Sequence, residues 1–157
     1  PFARKHWSSI AQAYAKAPFF KTYSDRIEQL YAHVESMERL SDLNVAFLSE
    51  LSDLLGFRTR FVMSSTLAAS GRKTDRVLAI CQELGAGCYL SGPSAKDYFE
   101  GEKFDTAGIA YRWMDYSGYP AYPQLHGPFE GAVTVLDLIF NVGPAARSYM
   151  KAPVPTL

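Results

Sequence analysis

Apolar positions recur at helical spacing through the first third of the chain and then change period. Residues 4–17 carry Trp7, Ile10, Ala11 and Tyr14 on one face, and Pro18 ends that stretch. Residues 23–38 repeat the pattern with Ile27, Leu30, Tyr31 and Val34, with Asp25 and Glu28 in the first turn. Ser41 suits the N-cap of a third helix, whose stripe runs Leu43, Phe47, Leu48, Leu51, Leu54 and Leu55 and stops at Gly56. Residues 58–63 then alternate and are β-rich, which predicts a strand ending at Ser64, Ser65 and Thr66. A helix over 74–84 follows, with Val77, Leu78, Ile80 and Cys81 inward, then strands over 88–90 and 108–114. Thr134 is placed to cap a last helix carrying Val135, Leu136, Leu138, Ile139 and Phe140, which Asn141 and Gly143 close.

Strand, helix and strand joined by connections of roughly a dozen residues mark a parallel βαβ unit. The predicted fold is α/β: a short parallel three-layer (Rossmann-like) sheet with an N-terminal helical subdomain. Residues 1–56 form the helical segment packed on the sheet, 57–150 the α/β part of the same domain, and 151–157 a loose tail. There is no internal repeat and no linker. The chain opens at Pro1 without a cap or turn, so a fragment or processed chain is expected.

Composition narrows the class. The chain has 157 residues, 48% of them hydrophobic, enough for a real core. Sixteen basic residues balance sixteen acidic ones, which argues against nucleic-acid binding through bulk charge. Arg58 with Arg60, and Arg72 with Lys73, remain as local anion contacts. No run nears about 20 apolar residues, so no membrane span is expected, and no signal-peptide pattern opens the chain. Cys81 and Cys88 read as small buried thiols of a reducing, cytoplasmic setting. No second pair of ligands sits at zinc spacing, so no metal is expected. GxGxxG, P-loop, GxSxG and HExxH patterns are absent, which leaves the cofactor unknown and gives no hydrolase triad.

Candidate chemistry gathers in two stretches. The first is residues 85–98, an apolar strand that stops in Ser91-Gly92-Pro93-Ser94, because proline removes a ladder donor and glycine loosens the backbone. Loops beyond the carboxyl ends of parallel strands are where ligands bind. The predicted strands bring Ser64 and Ser65, then Ser91, Gly92, Ser94, Lys96 and Tyr98, then Asp115 and Tyr116 to one sheet end. Gly92 would let a ligand approach the backbone, Ser91 and Ser94 would hold an anion such as phosphate, and Lys96 would add a point charge. The plainer reading is a turn with Ser94 as an N-cap.

The second stretch is the aromatic, proline-rich loop over 115–130, with Tyr122, Gln124 and His126. Loops of this length inside compact domains are usually functional or disordered, and the aromatic content argues against disorder. Tyr122 would stack on a ring, Gln124 and His126 would read a polar ligand, and the plainer reading is a stiff loop covering the sheet edge. Asp137 lies one turn into an apolar helix and needs a partner if buried; otherwise it faces solvent. His126, Asp137 and Lys96 are the catalytic candidates. Ser64, Ser65, Ser91, Gly92, Ser94, Tyr98, Tyr122, Gln124 and Asn141 are the substrate-binding candidates.

These residues also carry a family resemblance. Arg4-Lys5-His6-Trp7, the run YAKAPFF over 14–20, Leu55-Gly56, Arg76 to Leu84, Tyr89-Leu90-Ser91-Gly92 with Lys96 and Tyr98, Tyr122-Pro123-Gln124, Leu136-Asp137 and Asn141 to Gly143 occur in order. The series resembles the WbqC-like protein family along nearly the whole chain. The resemblance implies a preceding segment, similar to QxxYxPWxGYF, that this chain lacks and that would hold part of the site. It also implies a setting in bacterial surface-polysaccharide or natural-product biosynthesis, and a small molecule such as a nucleotide-linked sugar or amino acid.

Two functions follow as expectations. One is a transferase-like enzyme acting on an activated, phosphate-bearing small molecule. The other is a non-catalytic binding or scaffold protein of a biosynthetic complex, docking through Trp7, Tyr14, Phe19 and Phe20 on the first helices. A domain cut from a larger enzyme would expose an unpaired sheet edge and aggregate or form a homodimer.

Overall fold

The computed structural model describes residues 2–151; Pro1 and residues 152–157, which hold nearly all of the expected tail, lie outside the described residues. The elements in order are α1 (Phe2–Tyr14), α2 (Phe20–Val34), α3 (Leu40–Leu54), a 3₁₀ turn (Ser64–Thr66), α4 (Lys73–Glu83), β1 (Cys88–Ser91), a 3₁₀ segment (Pro93–Tyr98), α5 (Gly101–Thr106), β2 (Ala110–Trp113), α6 (Val135–Val142) and a 3₁₀ segment (Gly143–Tyr149). The chain divides into two compact units: Pro1–Phe61 with Gly118–Leu157, and Val62–Ser117.

The first unit is helical and built around α6. Every residue from Leu136 to Val142 is buried, so this helix has no wet face and forms the centre of the unit. Its Leu136, Ile139 and Phe140 join Trp7 of α1 and Ile27 and Tyr31 of α2 in one core. Trp7 stacks against Phe20 and Tyr31, each at 6.1 Å between centroids. Burying side chains of this size contributes roughly 1.5–3 kcal/mol each. Thr134 caps α6 as the sequence predicts, its hydroxyl oxygen accepting from the Leu136 N–H at 3.4 Å.

Gly143 closes α6 at φ +57°, and a Cβ there would stand 2.4 Å from the ring of Phe19. Glycine therefore serves both the left-handed turn and the approach of that ring. The Phe19 N–H donates to the Phe140 carbonyl at 2.9 Å, fastening the α1–α2 turn to the central helix.

The second unit is α/β. β1 and β2 pair in parallel, with Cys88 opposite Ala110 and Ser91 opposite Trp113. Among the described residues the sheet consists of this pair. The connection holds α5, and Phe104 of α5 packs with Cys81, Ile109, Tyr89 and Phe99 in the unit's core. The unit is thus a βαβ crossover with α4 preceding it.

Several expectations are corrected. Residues 58–63 form no strand, and Phe61, Val62 and Met63 are exposed. An alternating β-rich run becomes a strand only when a ladder partner meets it, and among the described residues this run has none. The strand–helix–strand unit is instead β1–α5–β2, whose short helix has little periodicity to read. Ser41 lies inside α3, its hydroxyl on Asp42, while Arg39 takes the cap position without a side-chain bond. Helix α2 begins at Phe20, so Asp25 and Glu28 lie beyond its first turn. Cys81 is buried as expected, but Cys88 is exposed. Trp7 is buried, which removes it as an exposed docking residue.

Candidate functional site

The central helix of the first unit carries a carboxylate where an apolar side chain would be expected. Asp137 is 7% exposed. A charge placed there is costly unless donors meet it. Three side chains from two segments, the end of α1 and the aromatic loop, do so. Tyr14, the last residue of α1, donates its hydroxyl to Asp137 Oδ2 at 3.0 Å. Tyr122 donates to Oδ1 at 2.7 Å, and Gln124 Nε2 donates to the same oxygen at 2.8 Å. Asn141, also buried, donates from Nδ2 to the Asp137 backbone carbonyl one turn back at 2.8 Å.

The network reaches beyond the carboxylate. Gln124 Nε2 also donates to the Glu130 carbonyl at 2.9 Å, and the Glu130 N–H donates to Gln124 Oε1 at 2.8 Å. One amide thus clamps both backbone groups of a residue six positions away and fixes the intervening turn. His126 is exposed, and its Nε2 donates to the Ala13 carbonyl at 3.0 Å, fastening that turn to the end of α1. The histidine is spent on a backbone contact, while the aspartate carries the tyrosine and glutamine bonds.

The electrostatics follow from this packing. Burial, then the hydrogen bond and negative charge of Asp137, push the Tyr14 phenol up to about 12. The same causes raise Tyr122 to about 12, with its contact to Gln124 working the other way. Both phenols remain donors throughout the neutral range. Asp137 therefore acts as an anchor that orients Tyr122 and Gln124.

Tyr122 forms a wall between this anchor and a cavity of about 180 Å³. Its ring meets Phe129 edge to face at 5.2 Å and Tyr149 at 5.7 Å. Tyr119 completes the aromatic lining, and Leu138 and Met150 add apolar surface.

The remaining sequence-predicted residues lie in the second unit. The parallel register places Ser91 beside Trp113, and the Met114 N–H donates to the Ser91 carbonyl at 2.7 Å. The carboxyl ends of β1 and β2 therefore meet. The Tyr89 hydroxyl donates to Ser91 Oγ at 3.0 Å, and a Cβ on Gly92 would lie 3.4 Å from the Tyr116 hydroxyl. Ser94, Lys96 and Tyr98 follow in the 3₁₀ segment, all exposed. The Lys96 ammonium lies 5.8 Å from the centre of the Trp113 ring. Thr74, 1% exposed, donates to the Tyr98 carbonyl at 3.3 Å and accepts from the Glu100 N–H at 3.2 Å, so it sets the far end of this segment. Ser64 and Ser65 sit in a separate exposed 3₁₀ turn that ends no strand.

The candidates thus form two groups, each inside one unit: Asp137, Tyr122, Gln124, His126 and Asn141 in the first, Ser91, Gly92, Ser94, Lys96 and Tyr98 in the second. Sequence reasoning missed Tyr14 as a partner of Asp137, because its apolar spacing marks it as core. It also missed the joint lining by Tyr119, Phe129 and Tyr149. An acid on a helix with no wet face is itself a signal that donors surround it.

A helical unit centred on a buried carboxylate, and a parallel βαβ unit ending in a serine–glycine turn, define an α/β protein. Its sequence matches the WbqC-like protein family over residues 1–149, and the chain belongs to that family. It is 38% identical over 150 residues to an uncharacterized protein of Mycobacterium tuberculosis, covering 96% of this chain and 64% of that relative's length. No solved structure matches it significantly. Among the described residues no helix is long and apolar enough to cross a membrane.

Proposed function

We propose that the protein is a transferase-like enzyme acting on an activated, phosphate-bearing small molecule in bacterial surface-polysaccharide or secondary-metabolite biosynthesis. The observation that carries this reading is Asp137, a buried carboxylate held by three side-chain donors beside an aromatic cavity. A fold gains little stability from burying such a group, since a well-packed apolar side chain serves as well. A polar cluster that fixes one wall of an apolar pocket is instead what a pre-formed binding site needs.

In this reading the second unit grips the phosphate through Ser91, Gly92, Ser94 and Lys96, at the carboxyl ends of its parallel strands. The finer architecture, a three-layer Rossmann-like sheet, belongs to the same proposal: β1, α5 and β2 supply one crossover of it. In the first unit, Tyr122 and Gln124 shape the acceptor pocket, and Asp137 sets their orientation. A cytoplasmic location suits the substrates proposed. The scaffold alternative would need a docking face, and the one built on Trp7 is buried.

The test is a thermal-shift screen of the chain and its Lys96→Ala variant against nucleotide sugars, nucleoside triphosphates and acyl phosphates. A ligand bound only by the folded state raises the midpoint by mass action. The reading expects a rise that shrinks in the variant. Midpoints unmoved by every phosphate-bearing compound, or moved equally in both proteins, would reject it.

A further inference from the structure

The aromatic cavity of the first unit specifies its occupant more narrowly than the fold does. The pocket, about 180 Å³ and open to solvent on one side, has walls tied from behind by polar bonds. Tyr122 is anchored through its hydroxyl to Asp137, at 2.7 Å. The turn that presents Phe129 is clamped because Gln124 bonds both the N–H and the carbonyl of Glu130, at 2.8 and 2.9 Å. On the outer side the Lys151 ammonium lies 5.4 Å from the centre of the Tyr119 ring. The walls are therefore set before any ligand arrives, which lowers the cost of binding.

Size and lining select the ligand. An apolar cavity of about 150 Å³ is large enough to hold benzene. The pocket here has room for one small ring system, with the rest of a larger ligand left in its open mouth. None of the residues described as lining it carries a formal charge, and the Lys151 ammonium stands at its outer side over Tyr119. The side-chain polar groups on these walls are hydroxyls, those of Thr134 and the tyrosines, which suits a ring with few polar substituents better than a sugar. The Thr134 oxygen already accepts from the Leu136 N–H, which leaves its proton available to a ligand. Aromatic rings prefer edge-to-face and offset contacts, and Tyr122 already stands edge to face with both Phe129 and Tyr149.

We propose that this cavity binds the planar aromatic ring of a small molecule, of phenyl to indole size, so that the acceptor of the enzyme is an aromatic compound. The inference rests on the small-molecule reading of this unit given above.

Indole and methyl glucoside serve as probes, followed by ¹H–¹⁵N chemical shifts of the chain. Indole should cause saturable shifts at residues 119–135, and methyl glucoside should not. Val133→Trp places a bulky ring at an exposed part of the lining, away from Asp137, and should weaken indole at least about tenfold. Gly131→Leu, whose Cβ would lie 3.7 Å from the Phe129 ring, is a second blocking variant with the same expected effect. Absence of saturable indole shifts, equal affinity in a folded blocking variant, or tighter binding of methyl glucoside would each overturn the assignment. Failure here with a Lys96-dependent response to phosphate compounds intact would remove the aromatic acceptor alone. Loss of the Lys96-dependent response with indole still bound would remove the phosphate-transfer reading instead.

Discussion

The hydroxyl of Tyr122 donates to Asp137 Oδ1 at 2.7 Å, joining the aromatic loop to the central helix of its unit. Neither residue explains itself alone. The aspartate requires donors because its helix has no solvent face, and the tyrosine is held as a fixed wall because the aspartate is there. Tyr14 and Gln124 complete the set.

Replacing Asp137 with Asn turns one acceptor into a donor that faces donors. Hydrogen bonds to a charged group contribute about 1.5–3 kcal/mol each, and part of that is lost with the charge. Asp137→Asn should lower stability by about 2–4 kcal/mol in urea unfolding. Tyr14→Phe and Tyr122→Phe should each cost about 1–3 kcal/mol. Each should also couple to Asp137→Asn in a double-mutant cycle, which purely additive losses would disprove.

Alkaline titration reads the same cluster. Folding raises the Tyr14 and Tyr122 phenols to about 12, above the unfolded value near 10. Their contribution to stability is full below about pH 10 and is lost as pH rises through about 12. Of the ten tyrosines, Tyr14 and Tyr122 should ionise late in an ultraviolet titration, and Tyr31, raised by burial, should also lag the ordinary range. Asp137→Asn should bring Tyr14 and Tyr122 part of the way back, leaving the larger share that burial causes. A titration unmoved by this substitution would assign the shift to burial alone.

Gly143 offers a steric test. At φ +57°, and with the Phe19 ring 2.4 Å from where a Cβ would stand, Gly143→Ala is both strained and crowded. The loss should be at least about 2 kcal/mol, seen as a lowered unfolding midpoint. A midpoint equal to that of the unaltered chain would mean the α6 terminus relaxes freely.

In the second unit, Thr74→Val leaves the Glu100 N–H without its side-chain acceptor and frees the Tyr98 carbonyl. The cost should be about 1–3 kcal/mol. Amide exchange at Glu100 should quicken, while exchange at Glu130 in the first unit stays unchanged. Gln124→Ala should do the reverse, since Gln124 Oε1 accepts from the Glu130 N–H.

Helical periodicity made α1, α2, α3, α4 and α6 legible, because stripes such as Ile27, Leu30, Tyr31 and Val34 report one buried face directly. Strand β1 was legible from its apolar run and abrupt stop. Residues 58–63 misled because β-propensity describes a fit to a sheet and says nothing about whether a sheet edge is within reach. Helix α5 was hidden because six residues with one core side chain, Phe104, carry too little period to detect. Tyr122, Gln124 and Asp137 could be named as polar residues in unusual places. Their meeting was not readable, since it joins a loop to a helix 13 to 15 positions away and brings in Tyr14 from 123 positions away.

The most direct measurement of the central claim is calorimetric titration of the chain with the phosphate-bearing compound giving the largest thermal shift, repeated on Lys96→Ala and on Val133→Trp. The account predicts saturable binding of that compound, weakened about tenfold or more by Lys96→Ala and little changed by Val133→Trp. Heats that never saturate, or an affinity indifferent to Lys96, would contradict it.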